Sequence, residues 1–336
     1  MRAVRLDEFG GPEVLRTVEA AVPAPAIGEV LVEVAACGVC GLDAMRRAGQ
    51  LDDRRGMVLG HEIAGMVVAV GEGVERLRAG DRVAAVQRRS CGRCEHCRAG
   101  RSVLCASGRL YGDDLDGGYA QYAAMAESSL ALVPAGVELR TAAVAACAIG
   151  TSLHALRLAD FRAGDRVLVT GAGGGLGVHA LGLVRALGGV AVAVTSSSDN
   201  VQHLSAITDD VVVAEERRFD EQIRERNLRP AVVLDMTASF TLDESLRTVA
   251  AGGAVVVVGT LGTRPVELSP GALIMREVRL LGSKATTLEE LGIVLDLLDR
   301  GRIETHISAA LDLDDVARAH AMLADRAVHG RVVLEP

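Results

Sequence analysis

The chain has 336 residues, 49% hydrophobic and 24% charged, which is enough for two domains with a core each and the balance of a globular protein. Its net charge of −8, from 36 basic and 44 acidic residues, argues against a nucleic-acid surface, and three Tyr, four Phe and no Trp leave little for base stacking. The first 25 residues lack a basic start followed by an apolar run, and no charge-free apolar stretch reaches membrane-spanning length, so no signal peptide and no membrane partner are expected.

In chain order, short β-like runs at Ala3–Leu6 and Val30–Ala36 flank a proline-bearing loop, Val22-Pro23-Ala24-Pro25. Ile63–Val70 and Arg82–Val86 follow, bounded by Gly71, Gly73 and Gly80-Asp81. This half predicts an all-β, barrel-like unit with long loops. Near Arg140 the texture turns to alanine-rich helix, and from Asp165 strands and helices alternate. Arg166–Thr170, Val190–Thr195, Asp210–Val213, Ala231–Asp235 and Ala254–Val258 are valine-rich, as strands buried on both faces are. Helical patterns such as Gly177–Leu187 and Thr241–Ala250 separate them, and this βαβ repetition predicts an α/β fold with a doubly wound parallel sheet. Two helical stretches, Leu288–Arg300 and Leu313–Ala324, and a strand at Gly330–Leu334 close the chain.

Two local motifs carry chemistry. Cys91, Cys94, Cys97 and Cys105 are spaced so that four thiolates close on one zinc ion; with every ligand position filled by sulfur, that site is structural. Seven cysteines, an odd number, fit a reducing cytoplasm that keeps thiols free for metal. The run from Val167 to Gly177 is a variant dinucleotide turn between a strand and a helix, Ala172-x-Gly174-x-x-Gly177 with Gly175 and Leu176 inside it. Gly174 lets the backbone approach a pyrophosphate, Gly177 lets helix and strand pack closely, and the helix N-terminus faces the phosphates. At the end of the next strand stand Thr195, Ser196 and Ser197 in place of the Asp or Glu that binds the ribose of NAD, which favours NADP(H) over NAD(H). Gly259 and Thr260 complete the expected cofactor contacts.

A third constellation is dispersed: Cys37-Gly38-Val39-Cys40-Gly41-Leu42-Asp43, Gly60-His61-Glu62, and Cys147-Ala148-Ile149-Gly150-Thr151. With it the chain resembles, from end to end, the zinc-containing medium-chain dehydrogenase/reductase family, the alcohol dehydrogenase superfamily. The resemblance implies a GroES-like β-barrel catalytic domain (1–148 and 284–336, with the zinc lobe at about 88–108) and a Rossmann domain (149–283). It also implies two zinc ions per chain, with the catalytic one on Cys40, His61 and Cys147. Glu62 then lies beside that metal and enters or leaves its shell, and Thr151 contacts the nicotinamide. Two thiolates and an imidazole leave zinc one open position, and Asp43 is placed to take the spare N–H of His61. Cys37, His96, His154 and His179 are assigned to packing or to the surface.

The chain departs from alcohol-oxidising members at two positions. Their proton-relaying hydroxyl and histidine are replaced by Leu42 and Met45, neither of which relays a proton. Water, Glu62 or Tyr111 is left as a substitute donor, with Tyr111 weighed chiefly as a wall residue. The implied function is a zinc-dependent oxidoreductase acting on an alcohol or carbonyl. The runner-up is reduction of an α,β-unsaturated thioester or ketone, because the T-G-A-G-G-G-L-G-V-H-A turn, A-V-T-S-S-S and G-T-S-L-H-A-L-R look similar to acryloyl-thioester reductase-like members. The third reading is a catalytically silent nucleotide-binding protein. The expected partners are a small-molecule substrate and a second copy of the chain, with the Arg276–Ser283 strand extending the sheet into a homodimer or homotetramer.

Overall fold

The computed structural model describes residues 1–214, 218–260, 262, 264–325 and 328–336. The chain forms two compact units, Met1–Gly150 with Ala285–Pro336, and Thr151–Lys284.

The first unit is organised by the long strand Glu29–Val39. Val30, Val32 and Val34 point to one buried face while Leu31, Glu33 and Ala35 alternate away from it. This strand pairs antiparallel with Glu62–Val70, Tyr122–Ala126 and Arg331–Glu335. Arg82–Ala85 and Leu130–Leu132 extend the sheet on one side, and Ile307–Asp312, parallel to Arg331–Glu335, ends it on the other. Two register shifts in the pairing with Glu62–Val70 mark bulges, which bend the strand before its Cys37–Val39 end. The core includes Leu6, Val32, Leu59, Ile63, Tyr119 and Leu334. The expected first strand is shorter, Arg2–Val4, because the Leu6 N–H donates to the Met57 carbonyl and leaves the ladder. The helical run Leu139–Leu158 has the length and composition to cross a membrane, but it carries Arg140 and Arg157 and 78% of its most apolar stretch is buried, as in a core helix.

The second unit is a six-stranded parallel sheet. Its order is Asp210–Val213, Val190–Thr195, Arg166–Val169, Val232–Asp235, Ala254–Val257 and Arg279–Gly282. The chain begins in the middle of the sheet and winds outward in both directions. The order therefore reverses at Arg166–Val169, and the crevice past the carboxyl ends of the strands there is where such sheets hold ligands. Helices Gly177–Ala186, Phe219–Glu225 and Ala238–Thr248 link successive strands. The strand expected from Arg276 starts only at Arg279. Pro270 opens a helix that runs to Arg276, and Glu277, in the left-handed conformation, ends it.

Candidate metal and nucleotide sites

Cys40, His61, Glu62 and Cys147 come together in the first unit, their ligand atoms all within 4.8 Å of one another and all four residues buried. Three backbone devices place them. Cys40 follows the strand Glu29–Val39 and caps the helix Gly41–Arg47, where its N–H donates to Asp43 Oδ2 at 2.9 Å. Gly38 is paired with Glu62 across the sheet, and a Cβ on Gly38 would fall 2.1 Å from the Glu62 carboxylate. A larger residue there would evict that side chain, which is the physical content of the glycine between Cys37 and Cys40. Cys147 sits in a π-helical turn, Ala145–Gly150, of the kind often found at functional sites. The Gln87 amide clamps this turn, donating to the Ala146 carbonyl at 3.2 Å and accepting from the Thr286 N–H at 3.2 Å.

The electrostatics suit a cation. The Cys40 and Cys147 sulfurs are 3.9 Å apart, and both thiols are free. Cys147, by hydrogen bonding to it, holds the Cys40 thiol well below its usual range; Arg331 and His61 also favour the thiolate. His61 Nδ1 lies 3.0 Å from Asp43 Oδ1. Burial alone would lower the imidazole, but Asp43 and Cys40 outweigh it and raise it. Burial pushes the Glu62 carboxyl up to about 7 against the pull of Arg331. Arg331 places Nη2 2.8 Å from Glu62 Oε1 and 3.7 Å from both sulfurs. Neither Glu62 oxygen has an aligned hydrogen bond. Two thiols, an imidazole and a carboxylate with unused lone pairs, all buried, form a donor set that fits zinc.

The four-cysteine cluster is likewise assembled, with the sulfurs of Cys91, Cys94, Cys97 and Cys105 within 4.8 Å of one another. Backbone N–H groups serve the sulfurs, Cys91 N to Cys105 Sγ at 3.3 Å and Cys94 N to Cys91 Sγ at 3.4 Å. The N–H groups of Arg93 and Cys94 pull the Cys91 thiol down to about 5, whereas burial pushes Cys97 up to about 11. Such N–H···S bonds favour thiolate, the form that binds metal.

Tyr111 does not present a free hydroxyl. Its ring is buried against the same small cavity as Leu42, Leu51 and His61, but its oxygen donates to Ser129 Oγ at 3.4 Å and accepts from the Ala126 N–H at 3.1 Å. Leu42 faces that cavity, so an apolar side chain stands where a relaying hydroxyl was sought. Cys37 is fully buried, and His179 bonds the Gly175 carbonyl at 2.7 Å, both structural placements. Sequence reasoning missed Arg331, Tyr119 and His320. The signal available for Arg331 was a basic residue opening the apolar Val332–Leu334 run.

In the second unit, the turn after Arg166–Val169 leads into the helix Gly177–Ala186. A Cβ on Gly177 would lie 2.3 Å from the Gly171 carbonyl, so glycine is required for helix and strand to meet. Gly174 has only that carbonyl near its missing Cβ, at 3.3 Å, and stays approachable. Ala172 is buried, and its N–H is held by the Val194 carbonyl. Thr195 turns its hydroxyl inward to Asn200 Nδ2 at 2.8 Å, while Ser196 is exposed and Ser197 bonds the Asp199 N–H and carboxylate. Gly259 packs against the Met236 carbonyl, and Thr260 bonds Ser239. These groups gather past the carboxyl ends of the parallel strands; Thr151 is buried at the start of the helix Thr151–Leu158.

Comparison with known proteins finds related domains along the chain. Residues 26–135 match the alcohol dehydrogenase GroES-like domain, and residues 175–300 match the zinc-binding dehydrogenase domain. The acryloyl-coenzyme A reductase of Metallosphaera sedula is 32% identical over 314 residues, 93% of each chain. The crystal structure of AibC superposes with a TM-score of 0.94 at 41% identity, covering 100% of this chain and 96% of that one. The cobalt- and zinc-bound thermostable alcohol dehydrogenase from Pyrobaculum aerophilum gives 0.90 at 30% identity, covering 100% and 99%.

Proposed function

This chain belongs to the zinc-containing medium-chain dehydrogenase/reductase family, the alcohol dehydrogenase superfamily of oxidoreductases, and we propose that it exchanges hydride between NADP(H) and a substrate whose oxygen is held by zinc. The observation that carries the reading is the buried Cys40–His61–Cys147 set beside Glu62. Two thiolates and one imidazole balance a dication and leave a four-coordinate ion one place for substrate. Zinc there supplies Lewis-acid polarisation of a carbonyl or alcohol oxygen, and the nicotinamide supplies or accepts the hydride.

The protein's own part is positional. Asp43 accepts the His61 Nδ1 proton and so keeps the Nε2 lone pair for the metal. Arg331 keeps Glu62 and the two sulfurs charge-matched inside a dry site. A second zinc on Cys91, Cys94, Cys97 and Cys105 pins its loop. NADP(H) is favoured over NAD(H) because Ser196 and Ser197, not a carboxylate, follow the strand Val190–Thr195. Seven free thiols favour the reducing cytoplasm. The edge strand Arg279–Gly282 favours a homodimer or homotetramer built by strand pairing.

A second reading has its own support. Leu42 and Met45 cannot carry a proton away from an alcohol, and a relative of 32% identity is named acryloyl-coenzyme A reductase. In that chemistry hydride goes to the β-carbon of an α,β-unsaturated thioester and a proton to the α-carbon, so no alcohol proton has to leave. Steady-state assays with a simple alcohol plus NADP+ and with a short enoyl thioester plus NADPH separate the two. Turnover of the thioester alone rejects the first reading. A kcat/KM about tenfold better with NADH rejects the cofactor preference.

A further inference from the structure

Asp43 is shared between the metal site and a second buried pair. Its Oδ2 is 3.2 Å from the Tyr119 hydroxyl, and that hydroxyl is 3.3 Å from His320 Nε2 on the helix Val316–Ala324. Tyr119 and His320 are both fully buried and meet edge to face, ring centroids 5.9 Å apart. The proton positions follow from donor count. An ionised carboxylate only accepts, so Tyr119 must donate its single proton to Asp43. The phenol oxygen then accepts from His320 Nε2–H, and the lone pair stays on His320 Nδ1, which has no partner. Asp43 thus receives three donors, the Cys40 N–H, the Tyr119 O–H and His61 Nδ1–H.

We infer that Tyr119 and His320 are positioning residues for the metal site: they pin Asp43 Oδ2 so that Oδ1 faces His61 and the His61 Nε2 lone pair faces Cys40 and Cys147. The inference rests on the reading that Cys40, His61 and Cys147 bind zinc. Packing alone does not require these two side chains, because a phenylalanine and a leucine would fill the same volume without burying a hydroxyl and an imidazole. The arrangement also fixes a tautomer, which packing does not. Loss of the group that orients a ligating histidine costs about 10–100-fold in metal affinity, and one bond further out the lower end applies.

The test uses the full chain carrying Tyr119→Phe, His320→Leu or His320→Gln. Chelator competition measures zinc affinity at the Cys40 site, and cobalt(II) exchanged into that site reports ligand geometry through its visible spectrum. Tyr119→Phe and His320→Leu are expected to weaken that site by about tenfold and shift the cobalt bands. His320→Gln, whose amide still donates, stays near wild type, and the four-cysteine zinc is unchanged throughout. Tyr119→Phe keeps its ring and so decides the matter even where His320→Leu fails to fold. Zinc affinity within about twofold of wild type with an unchanged cobalt spectrum in Tyr119→Phe overturns the inference. A wild-type chain that holds metal only on Cys91, Cys94, Cys97 and Cys105 overturns instead the reading on which it rests.

Discussion

Replacing Arg331 by Met keeps the aliphatic stem and the strand pairing of Arg331–Glu335 but removes the only cation facing Glu62 among the described ion pairs. The Glu62 side chain is 0% exposed and that of Arg331 5%, at 2.8 Å, so the pair is dry. Breaking one side of such a pair costs about 3–5 kcal/mol, because a buried charge is left uncompensated. For a unit of roughly 200 residues, each kcal/mol moves Tm by about 2–4 °C, so Arg331→Met should unfold on the order of 10 °C lower. The assay is thermal unfolding at pH 8, above the value of about 7 that Glu62 has in the wild-type chain, where burial raises it and Arg331 lowers it. Without Arg331 the carboxyl either stays charged and unpaired or takes up a proton, and both cost stability. Adding Glu62→Gln should recover most of the loss, since a neutral amide needs no counter-charge, and the double-mutant cycle isolates the coupling. A drop of less than about 2 °C, or no recovery in the double variant, refutes the reasoning.

Other perturbations have equally definite outcomes. Tyr111→Phe removes one hydrogen bond to Ser129 and one from Ala126; it should lower stability by about 1 kcal/mol in urea and leave kcat unchanged. Cys97→Ser should lose the lobe zinc while keeping the metal at Cys40, and limited trypsin digestion should then cut at Arg93, Arg98 or Arg101. Burial pushes His320 down to about 4, with Arg47 adding to the effect and Asp43 and Cys40 opposing it. The unfolded chain therefore takes up this proton before the folded one, and stability present above about pH 6.5 is lost as pH falls towards 4, by about 3 kcal/mol. His320→Gln should flatten that part of the acid limb in denaturant titrations. Ser196→Asp puts a carboxylate where a 2′-phosphate would lie and should cut kcat/KM for NADPH at least about tenfold relative to NADH.

What the sequence reveals follows from how local each feature is. The four lobe cysteines fall within one short loop, so their spacing alone defines the cluster. Gly177 opens the helix after its strand, and the steric demand that fixes it lies a few residues away, at Gly171 and Ala172. Cys40, His61 and Cys147 are far apart but travel in recognisable motifs. Arg331 does not: it reaches the site only because Val332 pairs with Val39, a register set by the whole sheet. Tyr119 and His320 are 201 residues apart and meet only through tertiary packing. The helix Pro270–Arg276 has too few residues, seven, for a clear periodicity, so the sequence leaves it unassigned. The engagement of the Tyr111 hydroxyl likewise depends on where Ala126 and Ser129 fold back.

The central claim is that Cys40, His61 and Cys147 grip a zinc ion separate from the one in the cysteine lobe. Elemental analysis of the purified chain and of Cys147→Ser tests it most directly. The account predicts two zinc ions per wild-type chain and one in the variant, with hydride transfer abolished. A variant that retains both ions and its turnover would contradict it.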